Sequence, residues 1–292
     1  MKVSGFSFIK NAVKNDYPII EAIQSILPLC DDFYLAVGKS DDGTLEMIQS
    51  LREPKIHIVE TEWDESLREN GAVFAQETNK AMDLIPEDTD WAFYIQGDEC
   101  LHEKYLETVK SSMEEHLRDD TVEGLLFRYI HFYGSYDYYG VSRRWYRNEI
   151  RVIRNLKSIR SYRDAQGFRI SGRKLKVKRV EAYIYHYGWA KSQIGITKKL
   201  RNFNHFYHDQ NWLETNLPDT YLFDYSNADK LARFEDSHPA VLKERIEKNH
   251  INLLIDPKSA GKKMDIRRRF LQAFEELTGI RIGEYKNYIQ LK

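Results

Sequence analysis

The feature that most constrains this chain is the alternation of short apolar runs with segments of helical spacing through its first hundred residues. Val3 to Ile9 reads as a strand, and Ile19, Ile20, Ile23, Ile26 and Leu27 then recur at helical spacing behind Asp16 as N-cap. Phe33 to Val37 is a second strand, followed by a short helix over Thr44 to Leu51. Ile56 to Val59 is a third, followed by an amphipathic helix over Gly71 to Ile85. Trp91 to Ile95 is apolar at every position, the pattern of a strand covered on both faces. Strands separated by helices predict an α/β chain with a parallel, doubly wound sheet and right-handed crossovers.

Beyond Glu123 the pattern changes. Leu125 to Phe132 is strongly β-like and leads into an aromatic loop, Tyr133 to Tyr139; Glu149 to Ile153 and Leu175 to Tyr187 read as further strands. These predict a mixed or antiparallel addition to the sheet. From Lys191 the spacing predicts helices over 191–208, 227–235, 239–249 and 266–277, punctuated by Pro218, Pro239 and Pro257. No linker rich in Gly, Pro or Ser separates these parts. Residues 1–124 and 125–190 are therefore expected as two halves of one unit, with 191–292 a helical region packed on it.

Composition narrows the class. With 292 residues, 42% hydrophobic and 30% charged, the chain has the apolar material for a sizeable core. No run approaches the roughly 20 apolar residues of a membrane-spanning helix, and Met1 to Lys10 lacks the apolar stretch of a signal peptide. Cys30 and Cys100 alone build neither a disulfide framework nor a cysteine zinc cluster. A cytoplasmic protein is expected. The net charge of −1 conceals a polarity: residues 1–125 carry 11 Lys and Arg against 27 Asp and Glu, and residues 126–292 carry 33 against 18. Within 142–180, 14 cationic residues face only Glu149 and Asp164. Two readings follow, an anionic partner for the basic half or mutual neutralisation of packed halves.

In an open parallel sheet, ligands bind beyond the carboxyl ends of the strands. There the sequence places Gly38-Lys39-Ser40-Asp41-Asp42-Gly43-Thr44, then Thr61 to Asp64 running on to Arg68 and Asn70, then Gln96-Gly97-Asp98-Glu99. Each is also what a surface turn looks like; three on one rim point to a site. Acids directly after a buried apolar strand, Asp98 and Glu99, suit a hard divalent cation shared with substrate phosphates. No phosphate-binding loop ending in Gly-Lys-Ser/Thr and no Gly-x-Gly-x-x-Gly follows the first strand, which argues against a nucleoside triphosphatase and a nicotinamide dehydrogenase.

On Ser40-Asp41-Asp42-Gly43-Thr44 and Gln96-Gly97-Asp98-Glu99, in that order and spacing, residues 1–190 resemble glycosyltransferase family 2, with its GT-A fold. The resemblance implies an inverting transfer of a sugar from a nucleotide-diphosphate donor to an acceptor hydroxyl, in surface polysaccharide or lipid-linked glycan assembly. It implies donor contacts from Asn11, Ser40, Asp42, Arg68, Asn70, Gln96 and Asp98. It also implies a divalent cation, Mg²⁺ or Mn²⁺, on Asp98 with His186 as a later ligand, and Asp164 as the base that deprotonates the acceptor. Trp145, Gln166 and Trp189 fall on the acceptor side, where aromatic faces suit sugar rings. Two departures stand out. Val37-Gly38 replaces the aspartates that precede the Ser-x-Asp-Gly-Thr run in the family, leaving the donor base open, and Gln96 replaces the first acid of the metal motif, leaving a metal-independent enzyme open.

Two rivals remain at this level. Trp145 and Tyr146 among Arg143, Arg144 and Arg147 also suit a nucleic-acid-binding surface over 142–180. A sugar nucleotidyltransferase would need a Gly-rich basic loop after the first strand, which Phe8-Ile9-Lys10-Asn11-Ala12 does not supply. For the glycosyltransferase, the basic stretch suggests a phosphorylated or lipid-linked acceptor, or peripheral contact with an anionic membrane.

Overall fold

The computed structural model describes residues 1–64, 66, 67, 69–225, 228, 230–249, 251 and 265–292. Its first part runs β1 (Val3–Ile9), α1 (Ile19–Ile26), β2 (Asp32–Gly38), α2 (Thr44–Gln49), β3 (Ile56–Thr61), α3 (Ala72–Met82) and β4 (Trp91–Tyr94). There follow β5 (Glu99–Leu101), α4 (Leu106–Glu115), β6 (Gly124–Tyr133), β7 (Tyr138–Gly140) and β8 (Asn148–Arg154). Next come β9 (Ile159–Tyr162), β10 (Gly167–Ile170), β11 (Arg173–Lys174) and the long β12 (Lys176–Trp189). The last part holds α5 (Gln193–Asn204), α6 (Gln210–Asn216), β13 (Leu231–Arg233), α7 (Lys243–Lys248), α8 (Ile266–Thr278) and β14 (Ile289–Gln290).

β1 pairs in parallel with β2 and β4, and β2 with β3, giving the spatial order β3-β2-β1-β4. This is the doubly wound parallel sheet expected, and its strand order reverses between β1 and β4. Antiparallel β8 continues the sheet beside β4 and is followed by β6, β7 and β13. β12 runs parallel to β6 and also takes β5 and β14, while β9, β10 and β11 form a separate antiparallel ribbon. The mixed addition is thus also found. Two strands, β13 and β14, come from the region expected to be helical.

Burial on both faces explains β1. Its serines would be costly inside the sheet, yet Ser4 Oγ is 2.9 Å from Thr89 Oγ1, and Ser7 Oγ donates to the Ile95 carbonyl at 2.5 Å. One face packs on Ile19, Ile23 and Ile26 of α1 with Val109 and Met113 of α4. The other packs on Val73, Phe74 and Ala81 of α3 with Phe168 of β10.

Three expectations give way. Asp16 does not cap α1: the helix starts after Pro18, whose ring presets the entry φ, and Asp16 has φ 49° with its carboxylate accepting from Arg245 at 2.5 Å. The helix expected over 227–235 is replaced at Leu231–Arg233 by β13, because β7 offers an edge and Ala232 pairs with Tyr139 across it; residues 226, 227 and 229 lie outside the described residues. Glu99, read as a rim acid, lies in the core.

Glu99 and Arg151 are both wholly inaccessible, with Arg151 Nη2 at 2.7 Å from Glu99 Oε1 and Nε at 2.8 Å from Oε2. Such a bidentate pair is tolerable only because its remaining groups are also bonded: Tyr129 Oη donates to Oε1 at 2.9 Å, and the Gln96 amide donates to Oε2 at 3.1 Å. Arg151→Met should lower unfolding free energy by about 3–5 kcal/mol by stranding Glu99. Adding Glu99→Gln should recover part of that loss. Urea titration measures both, and a single variant within 1 kcal/mol of the parent would show the pair to be dispensable.

Candidate active site

The point of strand-order reversal, where open α/β sheets bind ligands, carries a cavity of about 980 Å³. Lys10 and Asn11 reach it from the end of β1, and Gln96, Gly97 and Asp98 from the end of β4. His186 and Trp189 come from the end of β12, Lys199 from α5, and Asp164 and Gln166 from the turn between β9 and β10. Gly97 lets that turn approach β1, since a Cβ there would lie 2.8 Å from Ile9 Cδ1. Two buried polar atoms of cavity-lining residues have no hydrogen-bond partner: Asn11 Oδ1, an acceptor, and Trp63 Nε1–H, a donor.

At the cavity floor, the Lys199 ammonium lies 2.9 Å from Asp98 Oδ2 and donates to the Gly188 carbonyl at 3.0 Å. His186 Nε2 is 3.6 Å from the same carboxylate oxygen. Burial alone would raise the Asp98 carboxyl, but Lys199 and His186 outweigh it and hold it well below the usual range. The His186 ring is oriented from behind. His131 Nε2 donates to the Tyr146 carbonyl at 2.8 Å, and its Nδ1 meets His186 Nδ1 at 3.1 Å. Burial first, and His186 second, push His131 well below the ordinary histidine value, so it is neutral and its Nδ1 accepts from His186 Nδ1–H.

A divalent cation does not fit this cluster. Asp98 and His186 are adjacent, but the ammonium of Lys199 lies against the same carboxylate, where a second cation would be repelled. Among the described residues no group of three His, Cys, Asp or Glu side chains able to hold a metal ion is found. Gln96 adds no charge, and its amide nitrogen is 3.3 Å from the Ala165 carbonyl.

The opposite wall is the Asp164 turn. Arg163 and Ala165, either side of the acid, both have left-handed backbones, at φ 56° and 60°. Such strain persists only where the surroundings enforce it. Asp164 is half-buried, and burial raises its carboxyl despite backbone amides that lower it. Asp164 and Gln166 also line a second cavity of about 540 Å³, with Asn70, Glu149 and Tyr207. Glu149 is buried there with Oε2 unpartnered. Burial pushes it up to about 8; Arg151 opposes this, while the negative charges of Glu99 and Asp164 add to it.

The other expected site residues are placed elsewhere. Ser40 Oγ accepts from the Asn11 amide at 2.9 Å, and Asp42 Oδ2 from the Lys14 amide at 2.7 Å, so both are spent on the loop after β1 and neither lines the large cavity. Asn70 is on the second cavity, and Arg68 lies outside the described residues. Trp145 stands behind the site, stacked on His131 at 5.1 Å between centroids and edge-on to Trp189 at 6.1 Å. Sequence reasoning missed Lys199, His131 and Gly188. No local pattern marks them: Lys199 meets its partner across 101 positions.

The basic stretch is largely paired within the molecule. Arg143 bridges Glu275 at 2.6 Å, Arg147 Glu284 at 3.1 Å and Arg173 Glu123 at 2.5 Å; Arg160 bonds Asp83, and Arg154 caps three carbonyls.

No protein-family model and no curated protein matches this chain. Solved structures resemble part of it. S. aureus TarS, residues 1–349, aligns over 45% of this chain and 36% of that one, with 18% identity and a TM-score of 0.34. Its complex with UDP gives 19% identity over the same shares, with a TM-score of 0.34. Glucosyl-3-phosphoglycerate synthase of Mycobacterium tuberculosis, in complex with Mg²⁺ and UDP, aligns over 44% of this chain and 43% of that one, with 14% identity and a TM-score of 0.30. The match spans less than half the length of each of these chains.

Glu149 gives a pH test. Folded, it holds its proton up to about pH 8; unfolded, it releases it near pH 4.3, the value of about 4.3 being that of a free glutamate. Its proton is therefore bound more tightly in the native state, and stability falls as pH rises across that window. Thermal melts at pH 5 and pH 8 should show Glu149→Gln losing less stability than the parent, and equal losses would refute the assignment.

Proposed function

We propose that this chain is a family 2-type glycosyltransferase, moving a sugar from a nucleotide-diphosphate donor to an acceptor hydroxyl with inversion, in glycan assembly. The observation that supports the reading is the large cavity at the strand-order reversal, lined by the Lys199–Asp98 pair and by a further carboxylate, Asp164. The anionic diphosphate has Lys10, Lys14, Lys198 and Lys199 on the same cavity. Asp164, shared with the second cavity, takes the acceptor's proton, and Gln166 and Trp189 orient the acceptor beside it. Preorganised cations then stabilise the charge that develops on the departing diphosphate. No step is drawn through a metal ion.

A thermal-shift panel of UDP, GDP and ADP tests the class by linkage of binding to stability. One diphosphate should stabilise the protein, and none doing so would refute the reading. Asp164→Asn should then lower turnover by at least ~100-fold with donor binding little changed, the lower end for a positioned base.

Peripheral membrane contact, if it serves the acceptor, falls to α8 and not to the basic stretch. That helix turns its polar side inward, where Gln272 accepts from the Arg143 amide at 3.0 Å and Glu275 meets Arg143. Ile266, Phe270 and Leu277 are left 86%, 68% and 87% exposed. They fall within an arc of roughly 40° at 3.6 residues per turn, flanked by Arg267 on one side and Arg269 on the other, the make-up of an interfacial helix on anionic lipid. Among the described residues no helix is long and apolar enough to cross a membrane. Phe270→Glu with Leu277→Glu should abolish co-sedimentation with phosphatidylglycerol vesicles, and a parent that fails to sediment at low salt would refute the contact.

A further inference from the structure

We infer that Lys199 takes the place of a divalent metal ion as the cation that receives the donor's diphosphate, with Asp98 as the residue that positions it. This deepens the glycosyltransferase reading and rests on it. An ammonium has three N–H donors. Asp98 Oδ2 and the Gly188 carbonyl take two of them, at 2.9 and 3.0 Å, leaving the third for a ligand in the cavity that Lys199 lines.

The surroundings keep that ammonium fixed. Both side chains of the pair are only 13% exposed. The Lys199 stem is backed by Tyr17, whose ring centroid lies 5.1 Å from Nζ. Gly188 is where the backbone makes room: a Cβ there would stand 2.5 Å from Asp98 Oδ2 and 2.8 Å from both His186 Nε2 and Lys199 Nζ. No side chain larger than hydrogen is compatible with the three groups converging as they do.

Two lysines meet here, each with one carboxylate: Lys199 with Asp98 at 2.9 Å and Lys191 with Asp16 at 3.7 Å. Lys191, itself buried, is pushed down to about 8 by burial and then by the charge of Lys199. Two ammonium groups that repel one another in a poorly solvated place are stabilised together when an anion binds. A metal ion at the same carboxylate would seat a third positive charge beside Lys199 and Lys191. The lysine arrangement needs no such addition, and a diphosphate meets it directly.

Calorimetric titration with UDP, or with whichever diphosphate stabilises the parent, in EDTA and in Mn²⁺ tests this. The parent should bind with affinities within threefold in the two buffers. Lys199→Met should weaken binding by at least tenfold in both. Asp98→Asn, whose amide oxygen still accepts from Lys199, should lose less than Lys199→Met; a metal site gives the reverse order. Because Lys199→Met strands Asp98, the Asp98→Asn/Lys199→Met double variant is measured beside it and should fold and still fail to bind. Binding by the parent only with Mn²⁺, or the reverse order of the two single variants, overturns this inference and leaves the glycosyltransferase reading standing. Absence of binding by every diphosphate in both buffers overturns both.

Discussion

The buried Glu99–Arg151 pair is the constraint on which the rest of the molecule depends. It ties β5 to β8 through the interior, and every further bond it makes recruits another segment. Glu99 takes the Gln96 amide and the Tyr129 hydroxyl; Arg151 donates to the Gln166 carbonyl at 3.2 Å. The loop that carries Asp98 and the turn that carries Asp164 are therefore anchored to the same two charges. Neither charge is tolerable inside without all of these partners. The site's two walls are thus held at one separation by the electrostatics of the core beneath them.

The strand pattern of the first hundred residues was legible because each strand is covered on both faces and reads as an apolar run. The strand ends were legible for the same reason, and Asn11, Gln96, Asp98, His186 and Trp189 do line one cavity. What escaped was everything set by partners distant in sequence. A carboxylate after a buried strand looks the same in the sequence whether it faces solvent, as expected of Glu99, or an arginine 52 positions on. Turn formers and phosphate binders share the same short polar side chains, so the sequence did not show that Ser40 and Asp42 accept from the amides of the loop after β1. The short strands β9, β10 and β11 and the edge strand β13 carry too few apolar positions for periodicity to mark them.

The charge asymmetry between the halves is likewise resolved by packing. Glu123 and Asp83 of the acidic half accept from Arg173 and Arg160, while the far C-terminal acids Glu275 and Glu284 take Arg143 and Arg147. Electrostatic neutralisation therefore works in two directions from the basic middle. Glu275 of α8 takes part in this pairing, which lies on the side of the helix turned to the protein.

The distance in sequence between Asp98 and Lys199 has a consequence for the order in which the molecule is built. All strands of the parallel sheet, and β5 and β12 that frame Asp98, lie upstream of Lys199. On a ribosome, the sheet can close while Asp98 still lacks its counter-ion and α5 is unsynthesised. Docking of α5 is then the event that neutralises a carboxylate already held in place. The Asp98–Lys199 pair at the cavity is complete only when the helical region arrives, so the carboxylate goes without its counter-ion until that region has docked.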